Sequence, residues 1–132
     1  MKNAYPVRLT LCNNGYLVFI PDFGINTQGD NIIESIEIAR DAIGLMGIAI
    51  EDEHKELPLP SDIHTVEKGS DNDIVTLVDI DFLEYRRQND LRTVRRNVAL
   101  PSWLDSEAKR SGVNVSAILQ RALKQELHLS DR

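Results

Sequence analysis

Residues 5–23, "YPVRLTLCNNGYLVFIPDF", hold two β-rich runs on either side of Asn14-Gly15, the strongest short-range hairpin signal. With those two residues as the loop, Asn13 opposes Tyr16, Leu11 opposes Val18 and Leu9 opposes Ile20. Val7, Leu9, Leu11, Val18 and Ile20 then share one face, a ready core. The other face carries Arg8, Thr10, Cys12, Leu17 and Phe19. It is half apolar, as suits contact with a partner or with another part of the chain. Cys12 opposite Leu17 reads as a small hydrophobe.

Downstream of a turn-rich segment, "PDFGINTQG", a helix begins. Asn31 caps it and Glu34 stands three residues later, a capping-box arrangement. Ile32, Ile36, Ala39, Ile43, Met46 and Ile50 recur at spacings of four and three, a core stripe rather than a cofactor box. Gly44 and Gly47 weaken the second half by about 1 kcal/mol each relative to Ala. Residues 51–73 are a charged, Pro-broken connection with one helical turn near Ser61. "IVTLVDID", residues 74–81, closes the domain as a strand with Ile74, Val78 and Ile80 inward. The order β-β-α-β predicts an α+β layer, one helix over a small antiparallel-rich sheet.

The chain has 132 residues, enough for one ordinary domain or two small ones. Charge divides it. Residues 1–91 hold seven Lys/Arg against 17 Asp/Glu, a net of −10, whereas residues 92–132 hold eight against four, a net of +4. Such asymmetry suggests two modules, the basic one drawn to polyanions; on charge alone, chance clustering on a solvated surface is the plain alternative. The N-terminal "MKNAYPVRLT" contains no apolar targeting core. The longest apolar run, Ala42–Ile50, falls far short of the roughly 20 residues that span a bilayer, so no membrane role is expected. One cysteine excludes an internal disulfide and fits a reducing cytoplasm. His54, His64 and His128 lack ligand spacing, so neither a zinc site nor another metal or cofactor is expected.

Asp22, Asp79 and Asp81 raise the question of a Mg²⁺-dependent nuclease. No general base or phosphate-gripping Lys accompanies them, and solvated strand-end aspartates are the plainer reading. P-loop, nucleophile-elbow and dinucleotide fingerprints do not occur. The expectation is a protein without catalytic residues.

The basic end opens on "TVRRNVALP", residues 93–101. Alternation places Val94, Arg96, Val98 and Leu100 on one face, and Thr93, Arg95, Asn97 and Ala99 on the other. Arg and Asn are the side chains that fork onto guanine and adenine edges. Ser102 follows as a cap for a helix with Leu104 and Ala108 inward and Gly112 as its stop. Asn114 caps a second helix with Val115, Ile118, Leu119, Ala122, Leu123 and Leu127 on its apolar side. Some 40 residues bury too little core alone. Two copies suffice: paired strands expose Arg95, Asn97 and Ala99 on a ribbon that fits a major groove, above a dimer core of Val98, Leu100, Ile118, Leu119 and Ala122.

This stretch, "TVRRNVALPSWLDSEAKRSGVNVSAILQRAL", resembles a ribbon-helix-helix repressor domain. The resemblance implies base reading by Arg95, Asn97 and Ala99, and a phosphate anchor at Asn114, Val115 and Ser116, where free N–H groups favour an anion. Ala99 departs from the polar residue often found there. The front half, "GYLVFIPDF" followed by "TQGDNIIESIEIARDAI" and "VDIDFLEYR", is similar to HicB antitoxins. That resemblance implies a partly RNase H-like front domain, binding of a small RNA-degrading HicA-type toxin, and repression of the chain's own operon. The expected organisation is a toxin-binding domain at 1–81, a linker at 82–91, and a dimeric ribbon-helix-helix domain at 92–132 that binds operator DNA. Rival readings are a stand-alone repressor whose front domain senses a ligand, and the nuclease. Which residues touch the toxin is left open by the sequence.

Overall fold

A computed structural model of the chain describes residues 2–129. It divides into two compact units, Met1–Arg92 and Thr93–Arg132. The first contains β1 (Lys2–Cys12), β2 (Gly15–Ile20), a 3-10 turn at Pro21–Phe23 and β3 (Ile25–Gly29). Then come α1 (Ile32–Asp52), a second 3-10 turn at Ile63–Thr65, β4 (Ile74–Asp81) and α2 (Phe82–Asn89). The second unit contains α3 (Ser102–Ser111) and α4 (Val115–Glu126).

The four strands form one antiparallel sheet in the order β3-β2-β1-β4. The hairpin is present, but its register differs from the expected one: Leu9 faces Val18, Leu11 faces Tyr16 and Cys12 faces Gly15. The loop is therefore Asn13-Asn14. Neither residue has positive φ, so the type I′ turn that Asn-Gly announces does not form. Gly15 serves the ladder instead. Its φ is +146°, and a Cβ there would overlap the carbonyl oxygen of Gly29 at the end of β3. Because the partner moves by two residues, every side chain keeps its face, and Val7, Leu9, Val18 and Ile20 are buried. Leu11, beyond the helix's cover, is 63% exposed.

β3 occupies residues expected to be turn. Polar side chains (Asn26, Thr27, Gln28) hid a strand whose pairing is set by its neighbour β2 rather than by its own propensity. Asn31 caps α1, its Oδ1 accepting the Glu34 N–H at 2.9 Å. Ala39 and Ile43 are buried as expected, but the buried line runs through Ser35 and Gly47, with Ile32 and Met46 at its margin. The Ser35 hydroxyl closes the first turn by donating to Asn31 O at 2.7 Å.

The reason for the glycines is α2. A Cβ at Gly47 would overlap the buried ring of Phe82, and one at Gly44 would overlap the ring of Tyr85. Residues 82–91, expected to be a linker, thus hold a helix that completes the core of the first unit. Asp81 caps that helix by accepting the Glu84 N–H at 3.2 Å. Arg86 bonds Asp52 at 3.0 Å, tying α2 to the end of α1. Val78 and Ile80 of β4 are inward, whereas Ile74, also expected inside, is 38% exposed at the strand's open start. Tyr5, wholly buried, packs edge-on against Phe23 and Phe82 and donates its hydroxyl to Pro58 O at 2.9 Å, which anchors the long connection. Its one helical turn, expected near Ser61, falls at Ile63–Thr65 and is capped by Asp62.

Candidate functional site

In the first unit, α1, β4 and α2 enclose an open cleft of about 460 Å³. Carboxylates of Glu37, Asp41, Asp79, Asp81 and Glu84 line it, with Arg40 the single cation. Each feature has a local cause. Arg40 reaches from α1 to β4, donating Nε to Asp79 O and Nη2 to Asp79 Oδ1, both at 2.9 Å. That guanidinium holds the Asp79 carboxyl below the usual carboxylate range. Tyr85 donates its hydroxyl to Asp41 at 2.9 Å, and burial followed by the adjacent carboxylate pushes its phenol up to about 12.

The three aspartates considered for metal catalysis do not converge. Asp79 pairs with Arg40, Asp81 caps α2, and Asp22 accepts from both the backbone N–H and the hydroxyl of Ser61. Among the described residues no group of three or more His, Cys, Asp or Glu side chains is placed to hold a metal ion. Nor is any described helix long and apolar enough to cross a membrane. On the sheet's other face Arg8 lies 4.9 Å from the Phe19 ring centroid and donates to Glu67 O at 2.8 Å.

The second unit is a pair of short helices. Gly112 ends α3 with φ +66°, as its spacing predicts. Asn114 caps α4, accepting the Ala117 N–H at 3.0 Å. Val115 and Ser116 occupy the first turn of α4, where N–H groups point out of the helix end. Ser102 does not cap α3: Pro101 takes that position without a side-chain bond, its carbonyl accepting from Leu104 and Asp105 N–H, and Ser102 is the first helical residue.

Residues 90–101 carry no strand, and those from 91 to 101 are exposed. The alternation expected to make 93–101 a strand therefore has no ladder within one chain. A strand exists only by pairing. Arg95, Asn97 and Ala99 stand in this exposed segment, and among the described residues Arg95 has no ion-pair partner. Of the expected dimer core, Val98 is 57%, Leu100 44% and Ile118 41% exposed, Ala122 is exposed, and Leu119 is half-buried. No described residue of this unit is buried. Leu100, Leu104, Ala108, Val113, Val115 and Ile118 line an almost wholly apolar groove of about 330 Å³.

The family model for the HicB-like antitoxin of bacterial toxin-antitoxin systems matches residues 5–123, nearly the whole chain and parts of both units. The chain belongs to the HicB-like antitoxin family. Solved structures share its fold. A toxin-antitoxin complex from Streptococcus pneumoniae is similar at 22% identity and a TM-score of 0.59, over 96% of this chain and 99% of that one. The antitoxin HicB of Burkholderia pseudomallei is similar at 20% identity and a TM-score of 0.54, over 95% and 96%. A HicA3 and HicB3 toxin-antitoxin complex contains a chain similar at 24% identity and a TM-score of 0.50, over 60% of this chain and 99% of that one. No curated protein matches the sequence significantly. The residues missed in this HicB-like chain were those of α2. Their signal was present: Asp81 followed three residues later by Glu84, with Phe82 and Tyr85 on one side of a turn.

Proposed function

We propose that this HicB-like antitoxin neutralises a HicA-type toxin with residues 1–92 and represses its own operon with a dimer of residues 93–132. One observation carries the reading: a self-contained acidic unit is joined to a small basic unit whose apolar side lacks a core of its own. A toxin that grips RNA presents basic surface, which the acidic unit steers and covers. Two of the similar solved structures are toxin-antitoxin complexes, one of them naming HicA3 with HicB3, and they supply the kind of partner.

For the second unit, burial of Val98, Leu100, Ile118, Leu119 and Ala122 against a second copy supplies the missing core. Pairing of residues 93–101 across the two copies supplies the ladder, a ribbon-helix-helix arrangement in which Arg95, Asn97 and Ala99 face operator DNA. The N–H groups of Val115 and Ser116, beside the Asn114 cap, then meet a phosphate. No metal, cofactor or catalytic step enters. The partly RNase H-like character that the resemblance implies for the front unit carries no catalysis in this reading, and the setting is the reducing cytoplasm, where the Cys12 thiol persists.

Co-expression tests the division of labour. Growth under toxin expression should be restored by the full chain and by residues 1–92, with residues 93–132 giving no protection. Protection by residues 93–132 alone would overturn the assignment.

A further inference from the structure

The sheet has two edges, and they are unlike. β3 is five residues long with polar side chains. β4 is eight residues long and runs Ile-Val-Thr-Leu-Val before its aspartates, with no Lys, Pro or bulge to blunt it.

The direction of its backbone groups follows from two independent facts. Leu77 is opposite Pro6, which has no N–H, so this is a non-hydrogen-bonded pair and the Leu77 N–H and C=O point away from β1. Asp79, two residues on, has its carbonyl taken by Arg40 from α1, so it too points outward. Val75 and Leu77 therefore present the open part of the edge, with Ile63, His64, Val66 and Lys68 beside Val75 and Arg40 closing the edge at the Asp79 carbonyl. Among the described residues nothing accepts the Val75 or Leu77 N–H, and the Leu77 carbonyl has only the Thr76 hydroxyl at 3.4 Å. Leu77 is 52% exposed.

Such an edge accepts a strand, and charge selects which. The edge ends in Asp79 and Asp81, at the mouth of the cleft whose other carboxylates are Glu37, Asp41 and Glu84. A second copy of this acidic unit, paired antiparallel in a register centred on Leu77, would set Asp81 opposite Asp73.

We infer that β4 is the seat of a partner's extended segment, added antiparallel or parallel along Val75–Asp79, with Lys or Arg directed at Asp79 and Asp81. Main-chain bonds supply the affinity and the acidic end the choice of partner. This inference rests on the proposed function, which makes the toxin that partner.

Hydrogen exchange of the full chain, with and without a HicA-type toxin, tests it. The Val75, Leu77 and Asp79 amides should slow about tenfold or more in the complex. Leu77→Pro removes an outward N–H that β1 does not use. It should weaken toxin binding about tenfold while Leu77→Thr leaves it near wild type. Should the proline variant fail to fold, exchange in the wild type still decides. Toxin bound with these amides exchanging as before overturns the inference and spares the proposed function. Absence of any toxin binding overturns both. Slowing without toxin that grows with chain concentration overturns the choice of partner, because a second copy then occupies the edge.

Discussion

Gly47 shows how one residue can invert its meaning between sequence and structure. By propensity it costs α1 about 1 kcal/mol relative to Ala. In the fold it makes room for the Phe82 ring, a buried group with no flexible end to give way. Gly47→Ala should therefore destabilise the chain, by about 1–3 kcal/mol of overpacking set against a smaller helical gain, read by denaturant unfolding. Tyr85 offers a pH test. Its folded pKa of about 12 exceeds the unfolded value near 10, so its contribution is complete below pH 10 and is lost as pH rises to 12. Tyrosinate absorbance should show a late-titrating phenol that Asp41→Asn brings down. In the second unit, Arg95→Ala and Asn97→Ala should each cost specific operator binding about 1–3 kcal/mol without loss of fold, since both side chains are exposed. Operator affinity against a scrambled duplex checks this; full discrimination by the double variant would assign base reading elsewhere.

At the scale of elements, the strands and helices that carry a period were legible: the hairpin, α1 with its Asn31 cap, β4, and the two tail helices with Gly112 and Asn114 at their junction. What escaped was decided by neighbours. Asn14-Gly15 looks like a turn until the end of β3 is seen to crowd Gly15. β3 has no pattern of its own, and α2 is too polar to announce a core role apart from Phe82 and Tyr85. That last error has a consequence for truncation. A fragment ending at Asp81 removes the Phe82 ring, a loss of about 3–5 kcal/mol, whereas one ending at Arg92 keeps it. Residues 1–92 should melt cooperatively and residues 1–81 should not, by calorimetry. Of the candidate site, the alternation in the tail marks two faces, Arg95, Asn97 and Ala99 on one, for a strand that residues 93–101 do not form within one chain. The cleft was not legible, because Glu37, Asp41, Asp79 and Glu84 meet only once α1, β4 and α2 are packed.

For the whole molecule, the two units divide charge and apolar surface between them. The first buries its own core and exposes acid. The second exposes an apolar groove and unpaired backbone, features that a second copy would cover. Leu100→Asp, which sets a charge in that groove, should abolish dimerisation at a cost of several kcal/mol, seen as a monomer in sedimentation, with the first unit still folded. The central claim is that toxin neutralisation belongs to the acidic unit and needs no catalysis. RNA cleavage by a purified HicA-type toxin, titrated with the full chain and with residues 1–92, tests it most directly. Both should stop cleavage at one acidic unit per toxin, and Asp79→Asn with Asp81→Asn should create or abolish no RNA cleavage by the antitoxin itself. Undiminished cleavage at excess residues 1–92, or Mg²⁺-dependent RNA cleavage by the antitoxin that this double variant removes, would contradict it.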